Sequence, residues 1–284
     1  MNNNQGQLYI VSTPIGNLDD ITFRAINTLK MVDIVAAEDT RRTRELLNHF
    51  DIKTKTISCN EFSSESKISY LISELLNGKN IAVVSDAGTP IISDPGALLI
   101  KEAIKNNINI VGIPGACAAI NAIVLSGIDS RKFTFVGFLS EDNKKRKMQI
   151  DDLKLTTGAI VFYISSHNLK KDIKTLIDEY GEDAIASLSR EMTKKFEETV
   201  RGTLSDIYKY LNDKEIRGEF VLVLEGITQK NKRAMEKEKW LQMDINSHLK
   251  YYLDTGISEK EAIKKIASDR DVSKSEIYKL LKVK

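Results

Sequence analysis

The chain has 284 residues, 42% of them hydrophobic and 29% charged, with 42 Lys and Arg against 40 Asp and Glu. That length holds two or three domains of ordinary size, and the composition excludes both a disordered chain and a small stapled scaffold. Cys59 and Cys117 lie too far apart for a CxxC knuckle, and His49, His167 and His248 are scattered, so neither a disulfide framework nor a metal site is expected.

No run reaches the roughly 18 to 20 apolar residues of a membrane span. The opening MNNNQGQ has neither the basic flank nor the apolar centre of a signal peptide, so a cytoplasmic location away from membranes is expected. The formal charge of +2 conceals an asymmetry: 14 Lys and Arg against 9 Asp and Glu leave +5 from Thr228 onward, and the remainder carries −3. A solvated helical face or a polyanionic partner explains such a tail.

Apolar, β-branched runs recur in the first part of the chain, at LYIVST (8–13), IVAAE (34–38), IAVVSD (81–86) and INIVGIP (108–114). Helix-length segments separate them, one spanning 20–31 with Ile21, Ala25, Ile26 and Leu29 at helical spacing. Continuous apolar strands alternating with helices predict a parallel sheet covered on both faces. A second set follows, at FTFVGFL (133–139), AIVFYIS (159–165), AIASLSR (184–190), ETVRGT (198–203) and EFVLVLEG (219–226). The segment between the third and fourth is too short for a crossover helix, so this set contains an antiparallel pair.

Beyond Gly226 the chain turns charged and helical. Trp240, Leu241, Ile245, Leu249, Tyr252 and Leu253 suit one helix stopped by Gly256. Ser258 with Glu261, and Ser273 with Glu276, match the S-x-x-E capping box, predicting two short helices joined by a turn. This helix-turn-helix-like pair either meets nucleic acid or packs on the body or a dimer mate. The expected fold class is α/β, in three domains: 1–116 around a parallel sheet, 117–227 around a mixed sheet, and 228–284 helical.

Ligands of open parallel sheets sit beyond the carboxyl ends of the strands. The loops at those ends, STPIGNLDD (12–20), SDAGTPIISDPG (85–96) and IPGACAAINA (113–122), hold all 4 prolines of the chain. Proline stiffens such loops and glycine lets a ligand approach the backbone, which suits a flat heterocycle such as adenine. No G-x-G-x-x-G follows the first strand, and neither G-x-x-x-x-G-K-[ST] nor G-x-S-x-G occurs.

These loops, with AAEDTRRTRELL (36–47), FVGFL (135–139), SREMTKKFEE (189–198) and GEFVLVLEG (218–226), resemble the tetrapyrrole methylase superfamily of S-adenosylmethionine-dependent methyltransferases. Within it the chain looks like the branch that methylates the ribose 2′-hydroxyl of a cytidine in small-subunit (16S) ribosomal RNA. The resemblance spans nearly the whole chain. It implies a homodimer of two-domain α/β subunits with S-adenosylmethionine in the interdomain cleft and ribosomal RNA or the 30S subunit as partner.

By the same resemblance, cofactor contacts fall at Pro14 and Gly16 in the first loop and at Asp86, Gly88, Thr89, Pro90 and Ile92 in the second. The third loop contributes Pro114, Cys117 and Ala118. The cluster AAEDTRRT offers Glu38 and Asp39 as bases for the hydroxyl proton and Arg41, Arg42 and Arg44 as phosphate anchors; equally, Asp39 or Thr40 caps a helix there. Lys145 and Arg146 in KKRK (144–147), and Arg190 and Lys194 in SREMTK, are further candidates for the RNA backbone. Some segments depart from the family pattern: YISSHN (163–168) stands where YESPHR is expected, SCNEF (58–62) replaces a His-rich stretch, and GFLSED (137–142) replaces GFLPRK. The cofactor loops are thus better preserved than the acceptor side. A small-molecule methyltransferase on the same scaffold, or a non-catalytic ribosome-binding factor, are the competing readings.

Overall fold

The computed structural model describes residues 5–59, 65–91, 96–212 and 216–282. Strands β1 (Leu8–Val11), β2 (Ile34–Ala37), β3 (Lys55–Ser58), β4 (Ile81–Val84) and β5 (Ile110–Ile113) form a parallel sheet in the order β3-β2-β4-β1-β5. Every residue of β2 and β4 is buried, as their unbroken apolar runs require.

Helices α1 (Phe23–Met31) and α2 (Thr40–His49) cover one face through Ala25, Leu29 and Leu47. On the other face, α3 (Glu65–Leu76) and α4 (Ala97–Lys105) pack through Leu71, Leu75 and Leu99. Helix α1 starts later than its apolar spacing suggests, because the Thr22 hydroxyl accepts from the Ala25 amide at 3.1 Å and fixes the N-terminus there. Strand β3 was not anticipated: its sequence KTIS is largely polar and it sits at the sheet edge.

Helix α5 (Ala118–Ser126) leads into the second sheet, packing Ala119, Ala122 and Ile123 against its near face. That sheet comprises β6 (Phe133–Phe138), β7 (Ala159–Ser165), β8 (Ile185–Arg190), β9 (Glu198–Thr203) and β10 (Glu219–Glu225), ordered β6-β7-β10-β8-β9. β6 and β7 are parallel; β7–β10, β10–β8 and β8–β9 are antiparallel. Helices α6 (Asn143–Leu153), α7 (Leu169–Tyr180) and α8 (Leu204–Asn212) bury Ile150, Ile173, Leu176 and Ile207 on the far face.

The C-terminal part forms α9 (Gln229–Gln242), α10 (Ile245–Asp254), α11 (Glu259–Arg270) and α12 (Lys274–Lys282), whose shared core includes Ile263, Ile266 and Ile277. Where the apolar spacing suggested one helix through Trp240 and Leu253, there are two. The Asp244 carboxylate accepts from the Ser247 amide at 2.8 Å and starts α10 afresh, and Trp240 stacks on the buried His248 at 4.2 Å. Both capping boxes form: Ser258 with Glu261 opens α11, and Ser273 with Glu276 stands before α12. Among the described residues no helix is long and apolar enough to cross a membrane, and no group of His, Cys, Asp and Glu could hold a metal ion.

Candidate active site

Because β4, β1 and β5 lie side by side, the loops that leave their carboxyl ends meet on one rim. They are bonded to one another. The Thr13 amide donates to the Gly88 carbonyl at 2.8 Å, and the Gly88 amide returns a bond to the Thr13 carbonyl at 3.1 Å. The Ser12 and Thr89 hydroxyls lie 3.0 Å apart, and Thr89 donates to the Ala116 carbonyl at 3.2 Å.

Two glycines make these approaches possible. Gly88 takes φ +77°, and a Cβ there would stand 3.1 Å from Ile15. At Gly115 a Cβ would come within 2.8 Å of the Ser12 Cβ. Ile91, a β-branched residue at φ +80°, is held in a strained conformation at the end of the described part of the second loop.

Opposite this rim lies the edge of the second sheet where β6, β7 and β8 end and β10 begins. A cleft of about 390 Å³ separates the two. Ile15, Ala87, Gly88, Thr89, Cys117 and Ala118 form the first wall; Phe138, Tyr163, Ser165, Ser166 and Met192 stand across from them.

The loop after β8 is strained as well, with Glu191 at φ +47° and Thr193 at φ +66°. Its acid and its lysine hold it. The Glu191 carboxylate accepts from the Glu219 amide at 3.0 Å and pairs with Lys194 at 3.1 Å; Lys194 also reaches Glu219 at 2.8 Å. Burial opposes ionisation of Glu191, but the Glu219 amide and the Lys194 ammonium outweigh it and hold the carboxyl below the usual range. The Lys194 stem lies over Gly16, where a Cβ would come within 2.5 Å of its Cγ, so this lysine bridges the two walls.

One strand away, at the end of β2, acids and amides lock a second group to the same rim. The Asp86 amide donates to Glu38 at 3.4 Å, and the Asp86 carboxylate accepts from the Asp39 amide at 3.0 Å. Asp39 caps α2: its carboxylate accepts the Arg41 amide at 2.8 Å and pairs with the Arg41 guanidinium at 2.9 Å. The Arg41 side chain beside it, foremost through its hydrogen bonds, pulls the Asp39 carboxyl down to about 2. Arg41 and Arg42 remain largely exposed although Arg42 pairs with Asp86 at 3.2 Å, and Arg44 reaches the Thr56 hydroxyl at 3.3 Å.

The family of Tetrapyrrole (Corrin/Porphyrin) Methylases matches residues 7–208. Proteins called ribosomal RNA small subunit methyltransferase I are similar to nearly the whole chain. The one from Bacillus subtilis is 45% identical, over 98% of this chain and 95% of its own length; the one from Halalkalibacterium halodurans is 44% identical, over 97% and 94%. The chain belongs to the tetrapyrrole methylase family.

Solved structures agree on the fold of this tetrapyrrole methylase. A diphthine synthase superposes with a TM-score of 0.62 at 15% identity, covering 78% of this chain and 91% of its own. A uroporphyrin-III C-methyltransferase from Thermus thermophilus, complexed with S-adenosyl homocysteine, gives 0.54 at 14% identity over 78% and 97%.

Against the contacts expected for a tetrapyrrole methylase, Gly88, Thr89, Cys117 and Ala118 line the cleft. Pro14 and Pro90 are buried within the loops, Pro114 is exposed, and Gly16 lies beneath Lys194. Asp86 turns its carboxylate to Asp39 and Arg42. Ile92 lies outside the described residues, as do Asn60–Phe62 of the SCNEF stretch.

Lys145 is exposed, and Arg190 donates to the Arg217 carbonyl at 2.9 Å with its guanidinium 6.0 Å from the Phe220 ring. Arg146 requires a correction. It is 3% exposed, pairs with buried Asp172 at 2.7 Å and donates to the Ser140 carbonyl at 2.9 Å, so it is closed to an RNA phosphate. The periodicity of α6 puts Arg146 in line with Ile150 and Leu153 on the buried stripe, which the run of cations concealed. No residue of the second wall was named as a contact, although GFLSED (137–142) and YISSHN (163–168), which supply Phe138, Tyr163, Ser165 and Ser166, were read as acceptor-side segments; Gly137 inside an apolar strand was a further local signal.

Proposed function

We propose that the chain transfers a methyl group from S-adenosylmethionine to the ribose 2′-hydroxyl of a cytidine in small-subunit (16S) ribosomal RNA, in the cytoplasm, as a homodimer. The carrying observation is a cleft with one wall largely of small residues, on the same rim as an exposed arginine cluster. The names of the Bacillus subtilis and Halalkalibacterium halodurans relatives support the substrate, and the S-adenosyl homocysteine complex of the Thermus thermophilus relative supports the cofactor.

The cleft fits that cofactor. Ala87, Gly88, Cys117 and Ala118 leave room where larger side chains would fill the space, and Gly88 has no Cβ to crowd it. Thr89 and the neighbouring backbone would hold it. When bound, S-adenosylmethionine supplies an electrophilic methyl on a cationic sulfur.

The protein's own part is alignment and proton removal, of which a positioned base contributes about 10² to 10⁴. Of the two acids, Asp39 is spent on the Arg41 guanidinium and on capping α2, and a carboxyl held near 2 is a weak proton acceptor. Glu38 is the base. Arg41, Arg42 and Arg44 anchor phosphates, with Lys145 and Arg190 as outlying contacts and Lys194 as the bridge between walls. Pro14, Gly16, Pro90 and Pro114 serve by setting the loops' shape. Ile120 and Val124, one turn apart on α5 and exposed at 45% and 75%, support a subunit contact.

The test is transfer of labelled methyl from S-adenosylmethionine to 30S subunits lacking the modification, followed by mapping of the nucleotide. A 2′-O-methylated cytidine in 16S RNA is expected. Label in an added porphyrinogen but not in RNA would replace this reading with small-molecule methylation, and no cofactor binding in calorimetry would leave a ribosome-binding factor.

A further inference from the structure

Strand β6 is irregular in a way that bears on the cleft. Phe135 pairs with Val161, but the next pairing along β7 is Gly137 with Phe162, then Phe138 with Tyr163. Val136 is the extra residue of this register shift, and Gly137 within it takes the left-handed φ of +72°.

The consequence is a change of face. In an unbroken strand, residues 3 apart point to opposite sides of the sheet. Here Phe135 and Phe138 share the cleft side with Tyr163, with ring centroids 5.0 and 5.7 Å from it, both edge-on. Val136 and Leu139 point the other way, into the core under α6 and α7. Without the register shift the ring of Phe138 would enter that core. With it, the ring lines the cleft and stays 57% exposed.

A large apolar ring braced on one edge by another aromatic, and open to a cleft whose far wall is made of small residues, is a platform for a flat partner. A nucleotide that leaves the stack can carry its ribose hydroxyl into such a recessed cleft, and its freed base then needs a surface. We propose that Phe138 stacks on the nucleobase of the acceptor nucleotide and so places its ribose in the cleft. The proposal rests on the ribosomal RNA reading above.

The test uses the full-length chain with S-adenosylmethionine and 30S subunits. Phe138→Ala and Phe138→Leu are expected to lower kcat/KM for 30S by roughly 5- to 150-fold, the loss of one base–aromatic stack, while Phe138→Tyr and Phe138→Trp stay within a few-fold of wild type. Affinity for S-adenosyl homocysteine by calorimetry is expected to hold in all four, since the ring faces the acceptor. Retained activity in Phe138→Leu would reduce the ring to apolar packing and overturn the proposal, as would loss of S-adenosyl homocysteine binding in Phe138→Ala. If the wild-type chain does not methylate 30S, the ribosomal RNA reading falls and the platform with it. If the wild type is active and Phe138→Ala matches it, the platform alone falls.

Discussion

Replacing Arg146 by alanine separates a structural cation from a surface one. The Arg146 and Asp172 side chains are each 4% exposed and 2.7 Å apart, and Arg146 also carries the Ser140 carbonyl. Burial already holds the Asp172 carboxyl above its usual range, against the opposing charges of Arg146 and Lys171. Taking away the guanidinium leaves that carboxylate buried without its partner, and breaking such a pair costs about 3 to 5 kcal/mol. At about 2 to 4 °C per kcal/mol for chains of roughly 150 to 250 residues, the unfolding midpoint falls by about 6 to 20 °C. Calorimetric melts of Arg146→Ala and of the double variant Arg146→Met with Asp172→Leu decide the matter. The double variant removes both charges and fills the space, so it recovers most of the loss and binds RNA as wild type does. A melt of Arg146→Ala within about 1 kcal/mol of wild type, coupled with weakened RNA binding, would show that the side chain reaches phosphate and that its burial has been misjudged.

Thr89→Arg is expected to abolish cofactor binding in calorimetry by filling the cleft. Arg41→Ala with Arg42→Ala leaves cofactor binding intact and flattens the salt dependence of RNA affinity by about 1 in log–log slope per arginine; equal loss of cofactor in both variants would refute the division of the rim. Glu38→Gln lowers the single-turnover rate of methyl transfer by about 10² to 10⁴ with cofactor affinity unchanged, and an unchanged rate would remove Glu38 as the base. Asp39 is a carboxylate whose folded value is depressed to about 2 from the ordinary value of about 3.9, so its contribution to the start of α2 is complete above about pH 4 and lost as the pH falls toward 2. A carboxyl-carbon NMR titration of Asp39 with its midpoint near 4 would dissolve the Arg41 pairing.

What could be read in advance follows from where burial dominates. β7 and β9 begin and end where their apolar and β-branched runs do, and the short span between β8 and β9 required the antiparallel pair that forms. β3 escaped notice because an edge strand buries little, and Lys55, Thr56 and Ser58 leave Ile57 as its one apolar residue. The break between α9 and α10 escaped because spacing alone does not register a cap: Asp244 ends one apolar stripe and starts another. Arg146 shows the reverse error, a charge read by its type when its helical position had already assigned it to the core.

The cleft divides along the same line. Its first wall was legible because a loop that must bend sharply declares itself through proline and glycine, and three such loops on neighbouring parallel strands have one rim to share. The second wall is made of strand ends, where function depends on which face a residue takes, and face depends on register. A single inserted residue, Val136, moves Phe138 from the core to the cleft without altering the composition of β6. Any substitution that let Gly137 give up its positive φ would therefore act on the acceptor side of the cleft at a distance, by returning the following ring to the core. The same change would leave the rim that faces it, with Gly88 and Thr89, undisturbed.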